Sequence, residues 1–163
     1  MKRILLALLL LPAVAFASSS PSFPSTPSEP PPPPEIKPYN AGCKLLKKHD
    51  WAAAQKQFEK ALKYNEEFPQ AHNNLAFVLR MQGPQNYDSS LAHYNRAIAL
   101  APAMPETYMY RGTLYFLTGR KDLAEADYAT LQRLKPSLAK ELREVIDSGK
   151  EDVDELYGVS KAQ

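Results

Sequence analysis

The sequence predicts an all-α protein built as a solenoid of repeated helix pairs. Residue types recur at a fixed interval, because three pairs are each 34 positions apart: Tyr94 and Tyr128, Leu100 and Leu134, and Pro102 and Pro136. Between residues 38 and 148 no segment alternates apolar and polar residues with a period of two, so strands are not expected. A 34-residue period is typical of stacked helix–turn–helix units.

An earlier unit is present, and its spacing locates an insertion. Gly42 and Ala76 are 34 positions apart, whereas Phe58 and Tyr94 are 36 apart. The first helices of these two repeats are therefore 34 residues apart and the second helices 36 residues apart. This difference places two extra residues in the turn sequence after Gly83. The sequence predicts three repeats, at about 35–68, 69–104 and 105–138.

Helix boundaries follow from proline near helix starts, glycine just past helix ends and capping side chains. The first helix is predicted from Pro38 to about Lys48, and the second from Trp51 to Tyr64 with Asp50 as its cap. The third begins at Pro69 and ends at Gly83, and the fourth is capped by Asp88 and ends before Pro102. The fifth runs from Pro105 to Gly119, and the sixth starts at Arg120 or Asp122 and ends before Pro136.

A capping helix is predicted over residues 138–148, with Ser137 as its N-cap. One apolar stripe, formed by Leu138, Leu142, Val145 and Ile146, lies opposite a charged face. Such a helix covers the surface that a further repeat would bury. Gly149 ends it, and residues 149–163 form an acidic tail with a short helix as one option. Its apolar residues Val153, Leu156 and Tyr157 either fold back onto the domain or stay mobile.

The N-terminus predicts export. Residues 1–17 contain Lys2 and Arg3, an apolar run and Ala15-Phe16-Ala17, the pattern of a signal peptide cleaved near Ala17. Residues 18–37 form a Ser/Pro-rich disordered linker, because proline-rich polar sequence cannot bury a core. The residue directly after the cleavage point is Ser18 and not a cysteine, which argues against a lipid anchor. A periplasmic or secreted bacterial protein is expected, without membrane insertion after cleavage.

Charge and cysteine content restrict the partners. Removing the signal takes away two of the 20 basic residues and none of the 18 acidic ones, which leaves 18 of each. A neutral mature chain gives no electrostatic reason to expect nucleic acid as a partner. Cys43 is the single cysteine, so no intramolecular disulfide forms. Its interpretation stays open between a small apolar side chain and a thiol that is reactive or pairs between molecules.

The last unit carries a specific motif. Small, large and turn-forming residues are spaced 3, 4, 5, 4 and 8 positions apart at Gly112, Tyr115, Gly119, Ala124, Tyr128 and Pro136. This pattern resembles the tetratricopeptide repeat (TPR) family, in the form of a small exported bacterial type with three repeats. The resemblance implies a right-handed superhelical α-solenoid of three helix–turn–helix units plus the capping helix. Pro38 and Leu131 depart from the family pattern.

The resemblance also implies where a ligand binds. The family holds peptides in a concave groove lined by the first helix of each unit, and position by position this gives a set of groove candidates. They are Tyr39, Cys43 and Leu46 in the first repeat, Asn73, Asn74, Phe77, Arg80 and Met81 in the second, and Met109, Tyr110, Thr113 and Phe116 in the third. The cluster of aromatic residues and methionines suggests an apolar groove. The alternative is that these residues pack between repeats or are covered by the tail.

One known TPR specificity is excluded by the residues. Some members bind a C-terminal carboxylate with two lysines, two asparagines and an arginine, and only Asn74 matches that set. The remaining positions read Tyr39, Cys43, Glu106 and Tyr110, and Glu106 repels a carboxylate.

Function is expected to be binding rather than catalysis. No phosphate loop, activated-serine motif or paired thiols occur in the sequence, and the three histidines lack the spacing of metal ligands. No enzyme activity, metal or cofactor is expected. The chain is interpreted as an adaptor for a protein or peptide ligand, and the alternative is a structural envelope protein that forms homo-oligomers through the groove or tail.

Overall fold

The computed structural model describes residues 30–149, which contain seven α-helices and no strand. The helices are α1 (Ile36–Leu46), α2 (Trp51–Tyr64), α3 (Pro69–Met81), α4 (Tyr87–Leu100), α5 (Pro105–Leu117), α6 (Lys121–Leu134) and α7 (Pro136–Ser148). The predicted signal peptide, residues 18–29 of the predicted linker and residues 150–163 of the tail lie outside the described residues. Within residues 30–149, no helix combines the length and apolar character needed to cross a membrane.

The all-α solenoid is confirmed. Helices α1 and α2, α3 and α4, and α5 and α6 form three helix pairs, and each pair packs against the next through contacts of α2 with α3 and of α4 with α5. Helix α7 packs against both α5 and α6. Contacts therefore join neighbouring units only, as expected for a repeat array.

Three predicted helix starts differ from the structure. Helix α1 begins at Ile36, two residues before Pro38, so it includes the last two residues of the predicted linker. The prediction that Asp88 caps the fourth helix is wrong, because the turn that contains the insertion folds into a three-residue 3₁₀ helix, Pro84–Asn86, and Asn86 becomes the cap. Ser137 does not cap α7, since that helix already begins at Pro136 with Lys135 as its N-cap.

Small residues bring the two helices of each repeat close together. A Cβ atom added at Gly42 would lie 2.7 Å from Cε1 of the fully buried Phe58 ring. At the equivalent place in the second repeat, the Ser90 hydroxyl donates a 2.7 Å hydrogen bond to the Ala76 carbonyl. In the third, a Cβ at Gly112 would lie 3.3 Å from Asp127 Cβ of α6 and 2.6 Å from Leu142 Cδ2 of α7. The predicted close-approach positions are therefore confirmed.

Helix α7 closes the array through its apolar stripe. Ala139, Leu142 and Val145 are buried, and Leu138 and Ile146 pack against the same core. At the edge of this contact Arg143 makes two hydrogen bonds to Glu125, of 2.8 and 2.6 Å. The chain leaves the helix through Gly149 in the left-handed conformation, with φ 67°. The predicted role of Gly149 as the end of the helix is confirmed.

A buried ion pair holds α5 to α6. The Arg111 guanidinium donates to both carboxylate oxygens of Asp127, at 3.0 and 2.6 Å, and to Asn95 Oδ1 of α4 at 2.7 Å. Burial raises the pKa of the Asp127 carboxyl, and the guanidinium opposes that change. The three side chains join both helices of the third repeat to the second helix of the second repeat.

We predict that Gly42→Ala destabilises the domain by about 1–3 kcal/mol, because the new methyl group overlaps a rigid aromatic ring. The same substitution in an unhindered helix stabilises by about 0.5–1 kcal/mol. Urea unfolding followed by circular dichroism measures the change. Phe58→Leu should reduce the added cost of the alanine in a double-mutant cycle, and a stabilising Gly42→Ala would contradict close packing at this position.

Candidate binding groove

The candidate groove is the face formed by the first helices of the three repeats. Helix α3 contacts α1 on one side and α5 on the other, so the three helices lie side by side. All twelve groove candidates lie on these helices. The fold therefore places the candidates on neighbouring helices. The burial of each side chain then decides whether it is accessible to a ligand.

Most of the candidate residues are buried. Nine of the twelve expose less than 9% of their surface: Tyr39, Leu46, Asn73, Asn74, Phe77, Arg80, Met109, Tyr110 and Thr113. Met81 and Phe116 are half-buried and pack against the core. Cys43 is half-buried as well.

Phe77 is the centre of an aromatic layer that crosses all three repeats. Its ring meets Trp51 of the first repeat edge-on at 6.0 Å between centroids, and Tyr110 of the third repeat at 5.1 Å. The Arg80 guanidinium lies 5.2 Å from the centre of the Phe77 ring. Tyr110 in turn lies 6.4 Å from Tyr94. These contacts tie neighbouring repeats together.

A polar cluster joins α1 to α3. The Asn74 amide group donates to the Tyr39 hydroxyl at 3.1 Å and to Cys43 Sγ at 3.7 Å, while its oxygen accepts from Asn73 Nδ2 at 3.2 Å. The ring of Tyr39 packs against Phe68 with 4.7 Å between centroids. The Asn74 amide is therefore engaged within the fold, and a peptide would have to replace these bonds to use it.

Burial also sets the chemistry of the two ionisable groups in this cluster. It raises the pKa of the Tyr39 hydroxyl and that of the Cys43 thiol. Hydrogen bonds with Tyr39 and Asn74 oppose the change at Cys43. A raised thiol pKa lowers the fraction of reactive thiolate, which favours the interpretation of Cys43 as a small packed side chain.

In α5 two of the candidates contact each other within the helix. The Thr113 hydroxyl donates to the Met109 carbonyl at 3.0 Å, one turn earlier. Both side chains are almost fully buried, at 0% and 1% exposure. Both residues are therefore part of the interior of the third repeat, where they pack and do not line an open groove.

Accessible apolar surface remains at the C-terminal ends of α3 and α5. Met81 is the last residue of α3, and Phe116 and Leu117 are the last two of α5. Leu117 exposes 45% of its surface, and Met81 and Phe116 are half-buried. Met81 and Leu117 occupy equivalent positions, each twelve residues after the proline that begins its helix. We call these three residues the C-terminal apolar cluster.

The described residues also contain a histidine pair that the sequence did not predict. His72 Nδ1 lies 2.9 Å from His93 Nδ1, beside a cavity of about 370 Å³ between α2, α3 and α4. The two residues are 21 positions apart, and only the packing of α3 on α4 brings them together. Within residues 30–149 no group of three or more His, Cys, Asp or Glu side chains is arranged to hold a metal ion.

Comparison with known proteins agrees with this fold. The family model described as Tetratricopeptide repeat matches residues 39–83 and 85–139, which is more than half of the chain. The chain therefore belongs to the tetratricopeptide repeat family. No curated protein sequence matches the chain.

Two solved structures are similar in fold. The first TPR of Spaghetti (RPAP3), bound to the HSP90 peptide SRMEEVD, has a TM-score of 0.63 at 20% identity, with 70% of this chain and 91% of that chain covered. A chain of the CopN–Scc3 complex has a TM-score of 0.58 at 22% identity, covering 71% of this chain and 69% of that chain. At these identities the likeness is one of fold.

We predict that Phe77→Ala destabilises the domain by about 3–5 kcal/mol, because it removes the buried ring that contacts both neighbouring repeats. Leu117→Ala is the matched control on the same face, and its exposed side chain should change stability by about 0.5 kcal/mol or less. Chemical unfolding of the two variants measures both values. Equal, small effects would mean that Phe77 is not packed between repeats.

Proposed function

We propose that this chain is an exported adaptor that binds a protein or peptide partner along the face formed by α1, α3 and α5. The observation that carries the proposal is the C-terminal apolar cluster, which leaves Met81, Phe116 and Leu117 accessible on a closely packed support. Apolar side chains fixed on rigid helices lose little entropy when a partner covers them. An adaptor of this kind acts by binding, without catalysis.

The two similar structures support a protein or peptide ligand. One is a TPR held with a peptide, and the other belongs to a protein complex. Both have the fold of this chain over about 70% of its length. Repeat arrays commonly bind partners on extended faces of this kind, so the same use is proposed for this chain.

The partner of this chain is proposed to differ in chemistry from the acidic HSP90 peptide. Among the positions that form a carboxylate clamp in some family members, Glu106 brings a negative charge, and it pairs with Lys135 at 3.4 Å. Tyr39 and Asn74 already bond to each other. Apolar contacts at the C-terminal apolar cluster are the stronger attraction, so we infer a partner segment that presents apolar side chains.

The adaptor is further proposed to be exported. The pattern of residues 1–17 supports cleavage near Ala17, and the five consecutive prolines that begin at Pro30 support a spacer ahead of α1. Such a spacer would hold the domain away from whatever lies before it. The proposed location is the bacterial periplasm or the medium.

Photocrosslinking in cells tests the binding face. A benzoylphenylalanine at position 116 or 81 should give a discrete adduct with a partner, because both side chains reach the surface of the proposed face. Position 92 is the control, since Ala92 is exposed on α4. The adduct should be absent there.

Mass spectrometry of the adduct distinguishes the adaptor from the homo-oligomer. A partner peptide rich in apolar residues supports the adaptor. An adduct between two copies of this chain would instead favour the homo-oligomer. Equal adducts from positions 116 and 92 would contradict binding at the face of α1, α3 and α5.

A further inference from the structure

His72 and His93 form a buried pair on the side of α3 that faces α4. Their Nδ1 atoms are 2.9 Å apart, and their rings stack with centroids 5.1 Å apart and planes 30° apart. The Nε2 atom of His72 lies 2.9 Å from the backbone carbonyl oxygen of Glu66. His72 exposes 8% of its surface, and His93 is half-buried.

The neighbouring acceptor fixes the protons of the neutral pair. A carbonyl oxygen only accepts, so His72 must carry its proton on Nε2 and donate it to Glu66. The Nδ1 atom of neutral His72 is then an acceptor. His93 must therefore carry its proton on Nδ1 and donate it to His72.

The contact between the two Nδ1 atoms tolerates one added proton but not two. One added proton is accommodated, because a charged imidazole still donates to the remaining lone pair between the two Nδ1 atoms. A second added proton places an N–H on both facing atoms and a positive charge on both rings. Two donors 2.9 Å apart cannot bond to each other, so the contact must open.

The surrounding charges do not compensate for a doubly charged pair. Glu59 and Lys63 of α2, Glu66 of the α2–α3 connection and Arg96 of α4 line the cavity, two of each sign. Burial lowers the pKa of both histidines, and His72 lowers the pKa of His93 further. The neutral pair is therefore the form that the folded protein favours at neutral pH.

We propose that His72 and His93 are a proton-binding site that releases the start of α3 from α4 when both imidazoles are charged. His72 directly precedes Asn73, which donates to Asn74, and the Asn74 amide in turn holds Tyr39 and Cys43 of α1. Opening the pair therefore loosens the junction between the first two repeats. This effect of protonation requires no bound partner.

The direction of the pH effect follows from linkage. The ordinary pKa of histidine is 6.5, and both values are lower in the folded state. The unfolded chain then binds more protons below that pH. The stabilisation is fully present above pH 6.5 and is lost as the pH falls through the lowered values.

Imidazole nitrogen NMR of the uniformly ¹⁵N-labelled wild-type chain tests the geometry. At neutral pH His72 should be the Nε2–H tautomer and His93 the Nδ1–H tautomer, and both should titrate below pH 6.5 in coupled steps. His93 as the Nε2–H tautomer, or two independent titrations near pH 6.5, would overturn the proposal. This experiment needs no variant to fold.

Thermal unfolding of His93→Asn tests the release. The asparagine amide lies near the place of Nδ1: its nitrogen donates to neutral His72, and after a flip of the amide its oxygen accepts from charged His72. Between about pH 7.5 and pH 5 its melting temperature should fall less than that of the wild type. His49→Asn, at an exposed histidine outside the pair, is the control and should behave as the wild type. Equal losses in wild type and His93→Asn would overturn the proposal.

Discussion

The close approach of the two helices within each repeat is the constraint on which the remaining structure depends. Gly42 lies against the Phe58 ring, the Ala76 carbonyl accepts a hydrogen bond from Ser90, and Gly112 lies against Asp127. A larger side chain at any of these places would push the pair of helices apart. Because each repeat touches only its neighbours, a shift in one pair would move the face that the next pair must match.

The face formed by α1, α3 and α5 shows how packing and binding share one surface. Phe77 fills the space between three repeats, and Asn74 links α3 to α1, so both are parts of the interior. Accessible apolar surface is left where α3 and α5 end, at Met81, Phe116 and Leu117. The buried aromatic layer holds the proposed contact residues in place instead of touching the partner itself.

The repeats are predictable from the sequence because the spacing of recurring residue types directly reflects the length of each helix pair. Residue type alone predicts the starts of α3 and α5 at Pro69 and Pro105, since proline fits a first turn. It does not predict the start of α4, because the conformation of the inserted turn depends on how Gly83 allows the chain to bend, with φ 116°. Spacing carries no such information.

Burial and long-range pairs could not be predicted in the same way. The family pattern places Phe77 and Met109 on one face, but it does not say whether a neighbouring repeat covers them. Arg111 pairs with Asp127 and His72 with His93 across 16 and 21 positions. Such pairs depend on the rotation of one helix against another, which no local signal in a single sequence reports.

The face of α1, α3 and α5 is packed at its centre and accessible where α3 and α5 end. Methyl NMR of methionine-labelled protein with a soluble paramagnetic probe tests this arrangement most directly. The Met81 methyl signal should broaden, whereas the Met109 signal, from a side chain 1% exposed, should not. Equal broadening of both signals would contradict a packed centre.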